Sequence, residues 1–377
     1  MNALLSRLKT SAPGNPQGPA ARAAFGVRSF AIATLGPLAF LILGAFFGGI
    51  VAWGAFVTLA ILFPLADRLI ATAAPDAPKG TKFPAADRLS ATLAIAHFAA
   101  LGLALFALTG GTGLSGWDRV AVFLGFGLFF GQVSNSNAHE LIHRSNRLLF
   151  RLGKWVYISL LFGHHTSAHR LVHHRFVASP DDPNSAQLGE GFWDFAARAW
   201  PGSFVAGFEM EQNLRTTRPP AQGIGAQIRA MNPYYSYILG GAGFIAAAMA
   251  VFGLGGLLAY LLLCAHAQLQ ILLADYVQHY GLSRRQLALD RLEPVGPQHS
   301  WDAPHPVSSL WMLNAPRHSD HHAHPTRAYP ALRLGDAGDS ARPLLPRSLP
   351  VMAAIAMVPP LWRRMMDRRV AAVTGGR

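Results

Sequence analysis

Long apolar runs separated by short polar stretches set the pattern of this chain. Runs at 30–49, 51–66, 89–109, 119–138, 236–253 and 255–278 carry few charges, and each approaches the ~20 residues a helix needs to cross a bilayer's hydrocarbon core. Six membrane-spanning helices are the simplest count, with Gly48 and Gly49 turning the first pair into a hairpin. No internal repeat or low-complexity tract interrupts them.

Composition agrees with a bilayer as solvent: 51% of the residues are hydrophobic and 14% charged. The net charge of +13 sharpens the topology. Basic residues flank the apolar runs, at Arg7, Lys9, Arg22 and Arg28 before the first and at Arg68, Lys79, Lys82 and Arg88 between the second and third. The short connections at 49–50, 110–118 and 253–256 carry no Lys or Arg. The positive-inside rule then assigns both termini and all long connections to the cytoplasm. The expected fold is all-α and integral to the membrane: six transmembrane helices under a cytoplasmic histidine-rich cap. Residues 1–28 form a basic cytoplasmic tail, without a clear cleavage site for a signal peptide, and 29–377 a single membrane domain. Basic charge placed at span ends signals topology rather than nucleic-acid binding. Cys264 is the single cysteine, so no internal disulfide and no four-cysteine metal centre is possible.

Of the sixteen histidines, nine carry the candidate chemistry. "NAHELIHR" closes the fourth run and sets His139 and His143 four apart, on one face of a helix. "HHTSAHRLVHH" brings His169, His173 and His174, again at helical spacing, after His164 and His165. "ADYVQHYGL" ends the sixth run with His279, and "RHSDHHAH" adds His318, His321 and His322. His139-Glu140-x-x-His143 taken alone is also the zinc-protease pattern, with Glu140 as general base. Nine histidines at ligand spacing exceed what one zinc ion takes, and a dinuclear site uses them all. Imidazole suits iron, zinc, copper and nickel alike. His97 and His266, alone on apolar runs, read as hydrogen-bonded core groups, and His299, His305 and His324 as supporting or loop residues.

The ordered set "HELIHR", "HRLVHH" followed by "VASPDDPNSA", "DYVQHYGL" and "RHSDHHAHPTRAYP" resembles the integral-membrane alkane 1-monooxygenase family, within the membrane desaturase and hydroxylase superfamily. The resemblance implies a non-haem di-iron site, with two iron ions held by His139, His143, His169, His173, His174, His279, His318, His321 and His322. It also implies terminal hydroxylation of alkanes by O2. Electrons would come from a rubredoxin-type carrier and its NAD(P)H-dependent reductase, and the site of action would be the cell inner membrane. The chain departs from the family at Ala168 and Val172, where Glu and Gly are usual, and at Asp275 and Gln278, where Asn and Glu are usual. Related hydroxylases or desaturases acting on alkylbenzenes or fatty acyl chains share the metal set.

Acid–base chemistry alone does not attack an unactivated methyl group, so Glu140, Asp182, Asp275 and Asp320 are expected to orient imidazoles rather than to react. The chain has no glycine-rich dinucleotide fingerprint, so its reductant must come from outside. Arg215, Arg218, Arg284 and Arg285 are expected to steer an acidic carrier. Trp53, Phe56, Leu269 and Leu273 are expected along a substrate channel opening from the bilayer.

Overall fold

The computed structural model describes residues 25–375, apart from 71, 72, 74, 218, 220, 221, 290 and 336–341. The expected basic tail lies outside the described residues as far as residue 24, and Arg218 also lies outside them. The described chain is mostly helical; its two short strands, β1 (Gln286–Ala288) and β2 (Arg291–Leu292), pair antiparallel.

Helix α1 (Val27–Phe47) and helix α2 (Gly49–Leu69) form a hairpin about Gly48, whose φ of 60° and ψ of −153° suit a residue without Cβ. Helix α3 (Ala86–Leu108) packs against α1. Helix α4 runs from Gly116 to Leu128, through a π-helical segment at Phe129–Ser134, and on through Asn135–Ile142. Helix α5 (Arg147–Ser159) returns along its end. Short helix α6 covers 165–176 and is itself π-helical over His169–His173. Helices α7 (Phe192–Thr216) and α8 (Ile224–Ala230) lead to α9 (Tyr234–His279).

Among the described residues α1, α2, α3 and α9 are each long and apolar enough to cross a membrane. Their outward faces are apolar as well: Ile50 is 88% exposed, and Leu239 and Val251 70% each, the exposure expected where lipid is the solvent. At 46 residues, α9 would measure about 69 Å as one rod, more than twice the ~30 Å of hydrocarbon. It is not one rod. Gly253, at φ 65° and ψ −164°, breaks the helix, so two lengths of ordinary span follow one another.

Close packing joins α4 to the second half of α9. Gly127 and Gly131 lie four apart and receive His266 and Gln270, also four apart; a Cβ on Gly131 would stand 2.2 Å from the Gln270 amide nitrogen. Gln270 Nε2 donates to the Gly127 carbonyl at 2.9 Å, and Gln132 Nε2 donates to Gln270 Oε1 at 3.0 Å. His97 is fully buried between Ser134 Oγ (2.9 Å) and Ser159 Oγ (2.8 Å), a hydrogen-bonded core group.

The segment after α9 folds back as a cap containing α10 (Pro306–Trp311), α11 (His318–Ala323), α12 (Leu349–Ala356) and α13 (Pro359–Thr374). Three buried polar contacts fasten it. Asp67, at the end of α2, accepts the N–H groups of Val307 (2.7 Å) and Ser308 (3.0 Å) in the first turn of α10, donors that a helix start leaves free. Arg317 pairs with Asp76 and donates to the carbonyls of Leu332 (2.6 Å) and Pro75 (3.2 Å). Glu140 pairs with Arg144 and accepts the Tyr329 N–H at 3.0 Å.

Candidate metal centre

All nine histidines expected as ligands meet at the junction of α4, α6, α9 and α11. They form two groups, in each of which one nitrogen per residue lies within 4.8 Å of the others: His139, His143, His169, His174 and His321, and beside them His173, His279, His318 and His322. His139 and His143 keep the simple helical pairing, as do His318 and His322 on α11. His169 and His173, four apart, go to different groups. Over His169–His173 the backbone is π-helical, so residues five apart take the same face and His169 lies with His174.

The ring nitrogens face one another at close range. Nε2 atoms of His139 and His169 are 2.7 Å apart, those of His169 and His174 3.0 Å, and those of His174 and His321 3.1 Å. In the second group His318 Nε2 lies 3.0 Å from both His279 and His322. Two nitrogens each about 2.1 Å from one ion, at right angles, are separated by about 3 Å, whereas a tetrahedral angle would hold them about 3.4 Å apart. The Nε2 atoms of His143 and His173 are buried with no hydrogen-bond partner among the described residues. Five and four imidazoles converging in this way form two donor sets that could each hold a metal ion. Burial pushes His318, His321 and His322 well below the usual imidazole range, which keeps the lone pairs free.

Two contacts fix ring orientation from behind. His173 Nδ1 bonds Asp182 Oδ2 at 2.8 Å. Burial alone would lower His173 and raise Asp182, but their mutual attraction outweighs it, raising His173 and lowering Asp182. The Asp182 carboxylate takes the hydrogen bond at Nδ1, which turns Nε2 toward the group. His279 Nδ1 donates to the His299 carbonyl at 3.2 Å. Of the four acidic residues expected in this supporting role, Asp182 touches an imidazole of the groups. Glu140 is held by Arg144 and Tyr329, and Asp275 accepts from Asn184 Nδ2 at 2.6 Å. Asp320 bonds Arg327, the Arg333 N–H and His324. The His299 carbonyl was not foreseen, because a backbone acceptor has no residue-type signal. Nor was Asp302, which is fully buried and accepts the Ser319 N–H at 2.8 Å beside His318.

Next to the groups lies a small cavity bounded by His139 and His318, the end of α9 and Met312 and Leu349 of the cap. Its lining contains none of Trp53, Phe56, Leu269 and Leu273, the residues expected along a channel.

A sequence profile of the fatty acid desaturase family matches residues 115–355, which include all nine histidines. The chain belongs to the fatty acid desaturase family. Within this family it is similar to the alkane 1-monooxygenase of Ectopseudomonas oleovorans, 32% identical over 281 residues, covering 74% of this chain and 67% of the relative. It is 34% identical over 254 residues to the alkane 1-monooxygenase of Acinetobacter baylyi and to alkane 1-monooxygenase 1 of Alcanivorax borkumensis, covering 67% of this chain and 60% of each relative. The matched stretch thus spans about two thirds of the relatives' own length.

Proposed function

We propose that this family member is a membrane monooxygenase that hydroxylates a terminal methyl group: R–CH3 + O2 + 2 e⁻ + 2 H⁺ gives R–CH2OH + H2O. The observation that carries the reading is the sorting of nine buried imidazoles into groups of five and four. Similarity to several alkane 1-monooxygenases supplies the substrate class. Two iron ions held by these groups would supply the reduction and cleavage of O2 that an unactivated C–H bond demands. The protein's own part is to hold the ligands, through Asp182 and the His299 carbonyl, and to bring an alkyl chain into an apolar space at their edge.

The proposed topology has six spans, α9 contributing two and α4 one, with both termini and the cap on the cytoplasmic side of the inner membrane. Electrons would arrive from a rubredoxin-type carrier with its NAD(P)H-dependent reductase. A zinc-protease role for His139-Glu140-x-x-His143 finds no support: the Glu140 carboxylate is engaged by Arg144 and the Tyr329 N–H, and His143 shares its group with four other imidazoles.

The test is expression in a host without hydroxylases, together with a rubredoxin and its reductase, followed by product analysis from alkanes, alkylbenzenes and fatty acids. Primary alcohols from linear alkanes are expected. Conversion of alkylbenzenes or fatty acids alone would reassign the substrate, and one zinc per chain in iron-replete cells would overturn the di-iron reading.

A further inference from the structure

The cavity beside the histidine groups has a mixed lining. Its apolar residues include Ile271 and Ala274 of α9 with Met312 and Leu349 of the cap. Beside the group histidines, its polar residues are Asn135, Ser136, His165, Asp275 and Gln278. Three of these five have protein partners: Asn135 Oδ1 accepts from the Tyr157 hydroxyl at 3.0 Å, Asp275 from Asn184, and Gln278 Nε2 donates to the Ala315 carbonyl at 3.1 Å. Ser136 Oγ and His165 Nδ1 are buried and have none among the described residues.

His165 does not belong to either histidine group. Its ring lies over Phe162, at 5.3 Å and 28° between planes, and is flanked by Tyr157 at 4.9 Å and His169 at 5.0 Å. Packing holds the imidazole at the cavity wall without satisfying it. A buried polar atom left unpaired is unfavourable, and native folds carry one chiefly where an occupant completes it. A saturated hydrocarbon cannot do so. A hydroxyl group can, since its oxygen accepts and its hydrogen donates.

We propose that this cavity binds the head of a primary alkyl alcohol, with its hydroxyl on Ser136 Oγ and His165 Nδ1 and its chain along Ile271, Met312 and Leu349. The inference rests on the proposed function, whose product is such an alcohol, and it makes the two residues product-binding groups. The enzyme then holds the alcohol more tightly than the alkane from which it came, and product release becomes a slow step.

The experiment measures equilibrium binding of radiolabelled 1-decanol and decane to the metal-loaded protein in nanodiscs, without reductant and corrected for partition into empty discs. His165→Phe, which keeps the ring contacts, and Ser136→Ala are each expected to weaken alcohol binding about three- to tenfold, the loss of one hydrogen bond. Decane binding and metal content should stay unchanged. Equal alcohol affinity in the wild type and both variants would overturn the proposal and leave ordered water as the occupant. Loss of metal from His165→Phe would overturn it by making His165 a ligand. If the alcohol contrast appears in a protein that oxidises no alkane in the coupled assay, the site stands and the proposed reaction fails; if alkane is oxidised but the contrast is missing, the reverse holds.

Discussion

His173 and His174 are neighbours in the chain and belong to different histidine groups. The peptide bond between them joins the two halves of the centre, and His321 and His322 repeat the arrangement from the other side. Each group is therefore held by at least two elements of the fold.

Because the groups are separate sets of donors, their occupancy should be separable. His174→Ala removes a nitrogen from the group of five and His173→Ala one from the group of four. Metal analysis of the purified proteins should give two irons per chain in the wild type and a fall toward one in each variant. The iron left behind should differ in its Mössbauer parameters between the two variants. Loss of both ions from either variant would show the groups to be one cooperative unit.

Asp182→Asn tests the support of a proposed ligand, His173, without altering that ring. The amide keeps the size but not the charge that holds the His173 Nδ1 proton, and loss of such a partner typically weakens metal binding about 10- to 100-fold. Competition with a chelator should show this for one ion of the two, with the protein still folded and in the membrane.

Arg317→Ala should destabilise the cap. The guanidinium is buried, pairs with Asp76 and donates to two carbonyls, and breaking a buried pair costs about 3–5 kcal/mol. Arg317→Lys should recover little of it, since an ammonium does not reproduce the planar fork that reaches separate acceptors. Thermal unfolding in detergent measures both.

Acid should loosen the loop that carries the His299 carbonyl. Burial pushes the Glu293 carboxyl up, but the Arg285 N–H and guanidinium and the His299 ring pull it down to about 2. A carboxyl whose folded value lies below its unfolded value near 4.5 adds stability above that pH and loses it as pH falls toward 2. Melting temperature should therefore drop between pH 5 and pH 3 in the wild type, and Glu293→Gln should show a shallower drop and a lower starting value.

The apolar runs were legible because residue type alone reports them: those at 30–49, 51–66 and 89–109 fall on α1, α2 and α3 within a few residues. The nine histidines were legible from spacing. Their division was not, because it depends on a π-helical turn at His169–His173, and the sequence "HRLVH" shows no mark of that hydrogen-bond register. The supporting contacts were legible only in part. Asp182 lies nine positions from His173 and close in space, while Glu140, next to His139 in sequence, turns instead to Tyr329, 189 positions away. Adjacency along a helix sends neighbouring side chains in different directions, so it is a poor guide to which carboxylate reaches which ring. Trp53, Phe56, Leu269 and Leu273 were chosen by size and apolarity, which many span residues share.

The sorting of the histidines also sets a clock on biosynthesis. The group of five contains His139 but needs His321, and three of the group of four are His279, His318 and His322. At about 5–20 residues per second, translation from the first of these positions to the last takes on the order of ten to forty seconds. Throughout that interval the earliest imidazoles exist with their later partners not yet made. A nascent chain thus exposes a partial, four-histidine site around His139, His143, His169 and His174 before the complete one exists, and a metal that settles there early must be one that the arrival of His321 can retain or displace.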